Sequence, residues 1–194
     1  IDSYLINAVL LKVFAKVNPI KFFKKILPAQ IVAFSTQSSA GTLPVATEIL
    51  TDKIGVSGKV ANVTTPLGTT IGMPGCAGIW PILVSLYGIY GLGINFSLTD
   101  YITLVVVALF VSFGTAGVPG TATVTTASVL TVMGLPLELI VLTIPISALA
   151  DTGRTATNIT GAMVSATIVA RQEDSLDDEI FEKEDEEENK AVTA

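Results

Sequence analysis

From Val60 to Ala170 the only Asp, Glu, Lys or Arg side chains are Asp100, Glu138, Asp151 and Arg154. So little charge cannot give a soluble domain its surface, since such domains carry roughly 25% charged residues. The whole chain has 14%, half of its residues are hydrophobic, and its mean hydropathy is +0.66. Lipid is the solvent this pattern fits, and in lipid the backbone polar groups must be satisfied inside the chain itself. The expectation is an all-α membrane protein, multi-pass in the cell membrane and in contact with its lipid.

The charges outside that stretch say little about partners. Eleven of the seventeen acids lie between Glu173 and Glu188, and without them the formal charge of −6 becomes slightly positive. No nucleic-acid partner is expected. One cysteine and no histidine exclude a disulfide framework, a C-x-x-C metal site and imidazole catalysis. Serine and aspartate alone, without a sheet to hold them, do not make an enzyme. No cofactor is expected either. The chain opens on Ile1-Asp2-Ser3-Tyr4, with no initiator Met and no signal-peptide pattern, so it is expected to be a fragment lacking its N-terminal part.

Along the chain, residues 1–25 read as the end of a transmembrane helix and a basic loop, with Lys21, Lys24 and Lys25 keeping that loop on the cytoplasmic side. A transport core is expected over 26–171. Residues 26–52 are interrupted by Ser35-Thr36-Gln37-Ser38-Ser39 and flanked on both sides by lysines, so they form a re-entrant hairpin. Residues 64–96 read as a span interrupted at Gly72-Met73-Pro74-Gly75, where proline and glycine forfeit helix hydrogen bonds. Ser97 to Asp100 is a capped helix start, opening a second hairpin over 98–134. Its arms, Tyr101 to Phe113 and Thr121 to Met133, have thirteen residues each, well short of the roughly 20 needed to cross a bilayer. Residues 137–171 form a last span, and 172–194 an acidic, disordered cytoplasmic tail. Hairpin and broken span, then hairpin and striped span, make an inverted repeat, the pattern that points to a transporter site at the membrane midplane.

The last span carries the chemistry. At about 100° per residue, Arg154, Thr155, Asn158 and Ala162 all fall within about 60° of Asp151. One narrow face thus presents an acid, a guanidinium, a hydroxyl and an amide. An ionisable residue at this depth is a functional-site candidate, although Asp151 and Arg154 could simply pair with each other at i, i+3. The hairpin tips complement this face. Half-helix starts at Ser38 and Ser39, and at Val118, Pro119, Gly120 and Thr121, offer free N–H groups and a positive dipole end to a carboxylate. Small residues there could equally serve only close packing. Cys76 reads first as a small core residue, Trp80 as either a pocket wall or a packing residue. Glu48 lies about 14 Å from the first tip along a helix and reads as a solvated residue near the cytoplasmic mouth.

Three stretches resemble the dicarboxylate/amino acid:cation symporters, the glutamate-transporter-like family. Ala33 to Pro44 is similar to their serine-rich first-hairpin motif, Gly114 to Gly120 to their second-hairpin tip, and Asp151-Thr152-Gly153-Arg154-Thr155 with Asn158 to their last-helix signature. The resemblance implies an elevator-type transport core and a homotrimer built through an N-terminal scaffold absent from this chain. It also implies a small-molecule amino-acid substrate held by Ser38, Ser39, Met73, Val118, Pro119, Gly120, Asp151, Arg154, Thr155 and Asn158. In that scheme Asp151 takes the ammonium, Asn158 and the tips the α-carboxylate, and Arg154 a distal carboxylate.

Two departures bear on coupling. Gly72-Met73-Pro74 stands where acidic-amino-acid carriers have Asn-Met-Asp, and Ala162 stands where they have a cation-binding Asp. Thr70, Gly72, Met73 and Asn158 remain as a candidate cation site for Na⁺, with H⁺ coupling as the other option. The run Thr70 to Pro81 is instead similar to the cystine-uptake branch, so L-cystine or a related amino acid is the first expectation. Glutamate, aspartate or a C4-dicarboxylate is the alternative, and a channel is the rival of a different class, since re-entrant hairpins also build selectivity filters.

Overall fold

The computed structural model describes residues 2–71, 73–113 and 120–183, and the described residues are helical apart from turns and one isolated β-bridge. Helix α1 (Asn7–Leu10) sits between two wide-turn segments, Asp2–Ile6 and Leu11–Ala15. Then come α2 (Pro19–Thr36), α3 (Ser39–Ile49), α4 (Gly58–Ile71), α5 (Trp80–Gly91), α6 (Leu98–Ser112), α7 (Thr121–Val132), α8 (Glu138–Gln172) and the short α9 (Asp178–Glu182).

Local chemistry fixes most of these boundaries. Asn18 accepts the N–H groups of Ile20 and Lys21, and Pro19 occupies the first helical position, where its missing N–H costs nothing. Because of that cap, Lys21, Lys24 and Lys25 lie inside α2 and not in the loop expected ahead of residue 26. Ser38 caps α3 by accepting from Gly41 N, and Ser97 and Asp100 form a reciprocal capping box at the start of α6. Helix α4 stops before Met73 (φ −109°, ψ 70°), and a wide helical turn, Pro74–Ile79, leads into α5. Proline at 74 has no N–H to continue the ladder, so the break falls where the ladder would have to cross it.

Two apolar clusters flank α8. One gathers α2, α3, α4 and the C-terminal half of α8 around Phe22, Ile26, Leu50, Ile159 and Met163. The other gathers the wide turn, α5, α6, α7 and the start of α8 around Met73, Trp80, Leu104, Leu130 and Leu139. Each helical hairpin, α2/α3 and α6/α7, is followed in the chain by a long element that packs beside it. Helix α8, at 35 residues, is about 50 Å long, more than the ~30 Å of a hydrocarbon core. Its first half leaves Val141, Leu142, Ile144, Ile146 and Leu149 exposed, and α6 does the same with Ile102, Val105, Leu109 and Phe110. By length and composition, the broken segment Gly58–Gly91 and helix Glu138–Gln172 are long and apolar enough to cross a membrane, and lipid is the surrounding that the exposed apolar faces of α6 and α8 suit.

Residues 173–183 are not the disordered segment their composition suggests. Leu176 bridges Val56, Asp177 N–H donates to Gly55 O at 2.8 Å, and Ser57 N–H donates to Ser175 O at 3.0 Å. Phe181 is 1% exposed and packs under the Lys21 and Lys25 ammonium groups, 5.8 and 5.6 Å from its ring. Lys21 also pairs with Glu182 at 2.9 Å, and Arg171 grips the Asp178 carboxylate through both terminal nitrogens. The rest of the expected tail, 184–194, lies outside the described residues.

Candidate functional site

The site is built on one face of α8. The Arg154 side chain runs back toward the helix N-terminus, as long helical side chains do. There Nη2 donates to Ser147 O at 3.0 Å, to Ser147 Oγ at 3.2 Å and to Asp151 Oδ1 at 3.0 Å. The Arg154 and Asp151 side chains are 9% and 13% exposed. A bridge through a single nitrogen leaves Nε and Nη1 of Arg154 buried with no acceptor among the described residues. Buried donors left in that state cost about 1–3 kcal/mol, more for a charged group, so this arrangement suits an anionic ligand supplied from outside.

The wide turn after Met73 closes over that face. Gly75 N–H donates to Asn158 Oδ1 at 2.9 Å, and Asn158 Nδ2 donates to Cys76 Sγ at 3.2 Å. The Cys76 thiol in turn reaches Asp151 Oδ1 at 3.6 Å, a distance suited to sulfur. Only glycine permits this approach at 75: a Cβ there would meet Arg154 O at 2.8 Å and Arg154 Cα at 3.0 Å. Thr125 of α7 donates to Cys76 O at 3.0 Å, tying the second hairpin to the same turn. Trp80, at the start of α5, lays its ring against the guanidinium, 4.2 Å from Arg154 Cζ.

The first hairpin arrives from the other side. Gln37, in the left-handed conformation (φ 52°) between α2 and α3, donates through Nε2 to Ala148 O at 3.2 Å. Ser38 and Ser39 therefore start α3 next to the turn of α8 that carries Asp151. Ser39 is buried, and Ser38 uses its hydroxyl as the helix cap.

The expected residues are thus brought together in part. Asp151, Arg154, Asn158 and Met73 gather at the turn with Thr155 buried beside them, and Ser38 and Ser39 approach through the Gln37 contact. Gly120 begins α7 at φ +87° and is exposed. Val118 and Pro119, and Gly72 of the candidate cation site, lie outside the described residues. Thr70 is not part of the cluster: it sits on the exposed face of α4 with its hydroxyl bonded to Pro66 O and Leu67 O. Asn158 likewise has both ends of its amide engaged, and the Met73 carbonyl accepts Ala77 N–H at 2.9 Å. Ser147, Gln37, Cys76 and Thr125 are members that the sequence reading missed or set aside. Among the described residues no three His, Cys, Asp or Glu side chains gather as they would to hold a metal. An apolar groove of about 480 Å³ runs between the wide turn and α6, lined by Ile71, Met73, Pro74, Val105 and Phe113, and among the described residues no charged one lines it.

Residues 3–172 match the model of the sodium:dicarboxylate symporter family. The chain is 44% identical over 169 residues to an uncharacterized symporter of Haemophilus influenzae, covering 87% of this chain and 38% of that protein. It is 37% identical over 169 residues to the L-cystine uptake protein TcyP of Bacillus thuringiensis, covering 87% and 36%. It is 38% identical over 165 residues to the protein of that name in Shouchella clausii, covering 84% and 35%. The chain spans little more than a third of the length of these curated relatives.

Proposed function

The chain belongs to the sodium:dicarboxylate symporter family, and from that premise we propose that it forms part of a secondary active transporter that takes up an amino acid with a coupling cation by alternating access. The observation that carries this reading is the buried Arg154, whose Nε and Nη1 donors lack acceptors among the described residues while Asp151 stands beside it. A guanidinium with open donors next to a carboxylate matches an amino acid that carries a second carboxylate. Asp151 receives the ammonium group, Arg154 the distal carboxylate, and the hairpin starts at Ser38–Ser39 and Gly120–Thr121 the α-carboxylate.

L-cystine or a related amino acid is the substrate of choice, a reading supported by the L-cystine uptake relatives. The two helical hairpins act as re-entrant gates of an elevator-type core, in a homotrimer held by a scaffold outside this chain. The tail faces the cytoplasm, in keeping with the lysine-rich end of α2 against which it docks.

Uptake of a panel of radiolabelled amino acids into proteoliposomes, with this chain in its longer parent protein, tests the reading. Saturable L-cystine uptake that exchanges with internal substrate is the expected result. Saturable uptake of glutamate, aspartate or a C4-dicarboxylate with none of cystine moves the substrate to that class. A steady flux that does not saturate makes the protein a channel.

A further inference from the structure

We infer that Trp80 is a positioning residue for Arg154, and through it a determinant of the preference for substrates with a second carboxylate. The inference rests on the proposed amino-acid site and adds a residue to which that reading gives no role.

A guanidinium is planar, donates only in its plane, and is weakly hydrated on its faces, so an aromatic ring laid on one face fixes the plane without competing for its donors. Arg154 is held in this way. Its Nη2 is tied to Ser147 and Asp151, its Cζ lies over the Trp80 ring 4.2 Å from the centroid, and among the described residues Nε and Nη1 have no acceptor. Helical hydrogen bonds alone would leave a long side chain free to swing about one pinned nitrogen; the indole removes that freedom.

The ring is itself well placed. Trp80 is 9% exposed and packs in the cluster with Met73, Cys76, Ala77 and Val84. It follows directly on the wide turn that Asn158 and Thr125 fasten at Gly75 and Cys76. Opening that turn would therefore carry the indole away from the guanidinium, so Arg154 is aligned for a carboxylate only while the turn is closed on α8. A Trp80 that served packing alone would affect all substrates alike, and this is the distinction to measure.

Trp80 is the only tryptophan of this chain, so with every tryptophan outside it changed to phenylalanine, its emission gives a readout independent of any substrate. In the longer parent protein, reconstituted without substrate, Arg154→Leu is expected to shift the Trp80 emission maximum and raise its intensity. An unchanged spectrum would overturn the contact on which the inference stands. In uptake, Trp80→Leu is expected to raise KM for L-cystine about tenfold, the loss that follows removal of a desolvated cation–π contact. KM for a neutral amino acid with one carboxylate should change less than about twofold, and Trp80→Phe should recover most of the cystine affinity. Equal losses for both substrates, or none for cystine, overturn the positioning role. Should the unsubstituted protein transport no amino acid at all, the substrate reading fails and the specificity role with it, while the emission shift still reports separately whether the indole orients Arg154.

Discussion

Asn158 Oδ1 accepts the backbone N–H of Gly75 at 2.9 Å, and that bond joins the break in one apolar span to the polar face of the other. Asn158 is 1% exposed, so removing its amide leaves the Gly75 N–H without a partner in a buried place. Asn158→Leu is expected to destabilise the protein by about 1–3 kcal/mol even without substrate. Thermal unfolding in detergent measures it, and a melting temperature within error of the unsubstituted protein would show that the turn is held by packing alone.

Arg154→Ala is expected to weaken binding of a substrate with two carboxylates by about ten- to more than a hundredfold, the usual loss of roughly 1.5–3 kcal/mol for a charged hydrogen bond. Small neutral amino acids should bind as well or better. Asp151→Asn should instead lower affinity for the amine and cost a deaminated analogue little. Because Asp151 Oδ1 also anchors Arg154 Nη2, equal losses for both ligands would mean that Asp151 acts only by holding Arg154. Equilibrium binding with the paired ligands separates these outcomes.

The docked tail gives a prediction about stability. Phe181 fills a buried site at the base of the first hairpin, and Phe181→Ala should release residues 173–183, α9 with them, while α2 to α8 stay folded, since a buried Phe contributes about 3–5 kcal/mol. Hydrogen exchange of the Ser57 and Asp177 amides, which bond across to Ser175 and Gly55, should then speed up more than tenfold. Acid should act in the same direction. The hydrogen bond from Arg171 holds the Asp178 carboxyl below its ordinary value of 3.8. Its contribution is therefore complete above 3.8 and is lost as the pH falls through the lower, folded value. The carboxylate is largely exposed, so this effect is smaller than the loss of Phe181. Exchange that is the same in Phe181→Ala as in the parent would overturn the docking.

Some of this was legible in the sequence and some was not, for physical reasons. Asp151 and Arg154 stand out because a charge in an apolar run needs a partner or a ligand. Pro74 marks the end of α4 because it lacks an N–H. Cys76 carries no such signal: it is one small residue among Gly75, Ala77 and Gly78, and only the close packing that Gly75 permits brings its sulfur to Asn158 and Asp151. Ser147 is hidden because the Arg154 side chain reaches back past Asp151 to find it. The tail misleads because its composition is averaged over many acids, whereas the docking depends on one aromatic side chain and on Lys21 and Lys25, far away in the chain.

The last prediction concerns the coupling cation. Ala162 of α8 packs on Gly68 of α4 so closely that a Cβ on Gly68 would stand 2.7 Å from Ala162 Cβ and 3.0 Å from its Cα. Neither residue offers a side-chain oxygen, and the contact leaves no room for an ion without separating the helices. Pro74 likewise offers none, and the Thr69 and Thr70 hydroxyls, which donate to carbonyls of their own helix, keep only neutral oxygen lone pairs to offer. A hard cation in a low-dielectric core needs oxygen ligands and usually a carboxylate to offset its charge. Among the described residues at most one weak site of neutral ligands can be assembled, so sodium is expected to activate uptake with a Hill coefficient near one, or uptake is coupled to protons. Pro74→Asp with Ala162→Asp supplies two carboxylates and should steepen the sodium dependence only as far as α8 moves off Gly68 of α4 to admit the second one. Uptake measured against sodium concentration in proteoliposomes of fixed internal pH decides the matter: a Hill coefficient of about two or more in the unsubstituted protein would refute the reading, and no change in the double variant would show that these two positions do not limit coupling.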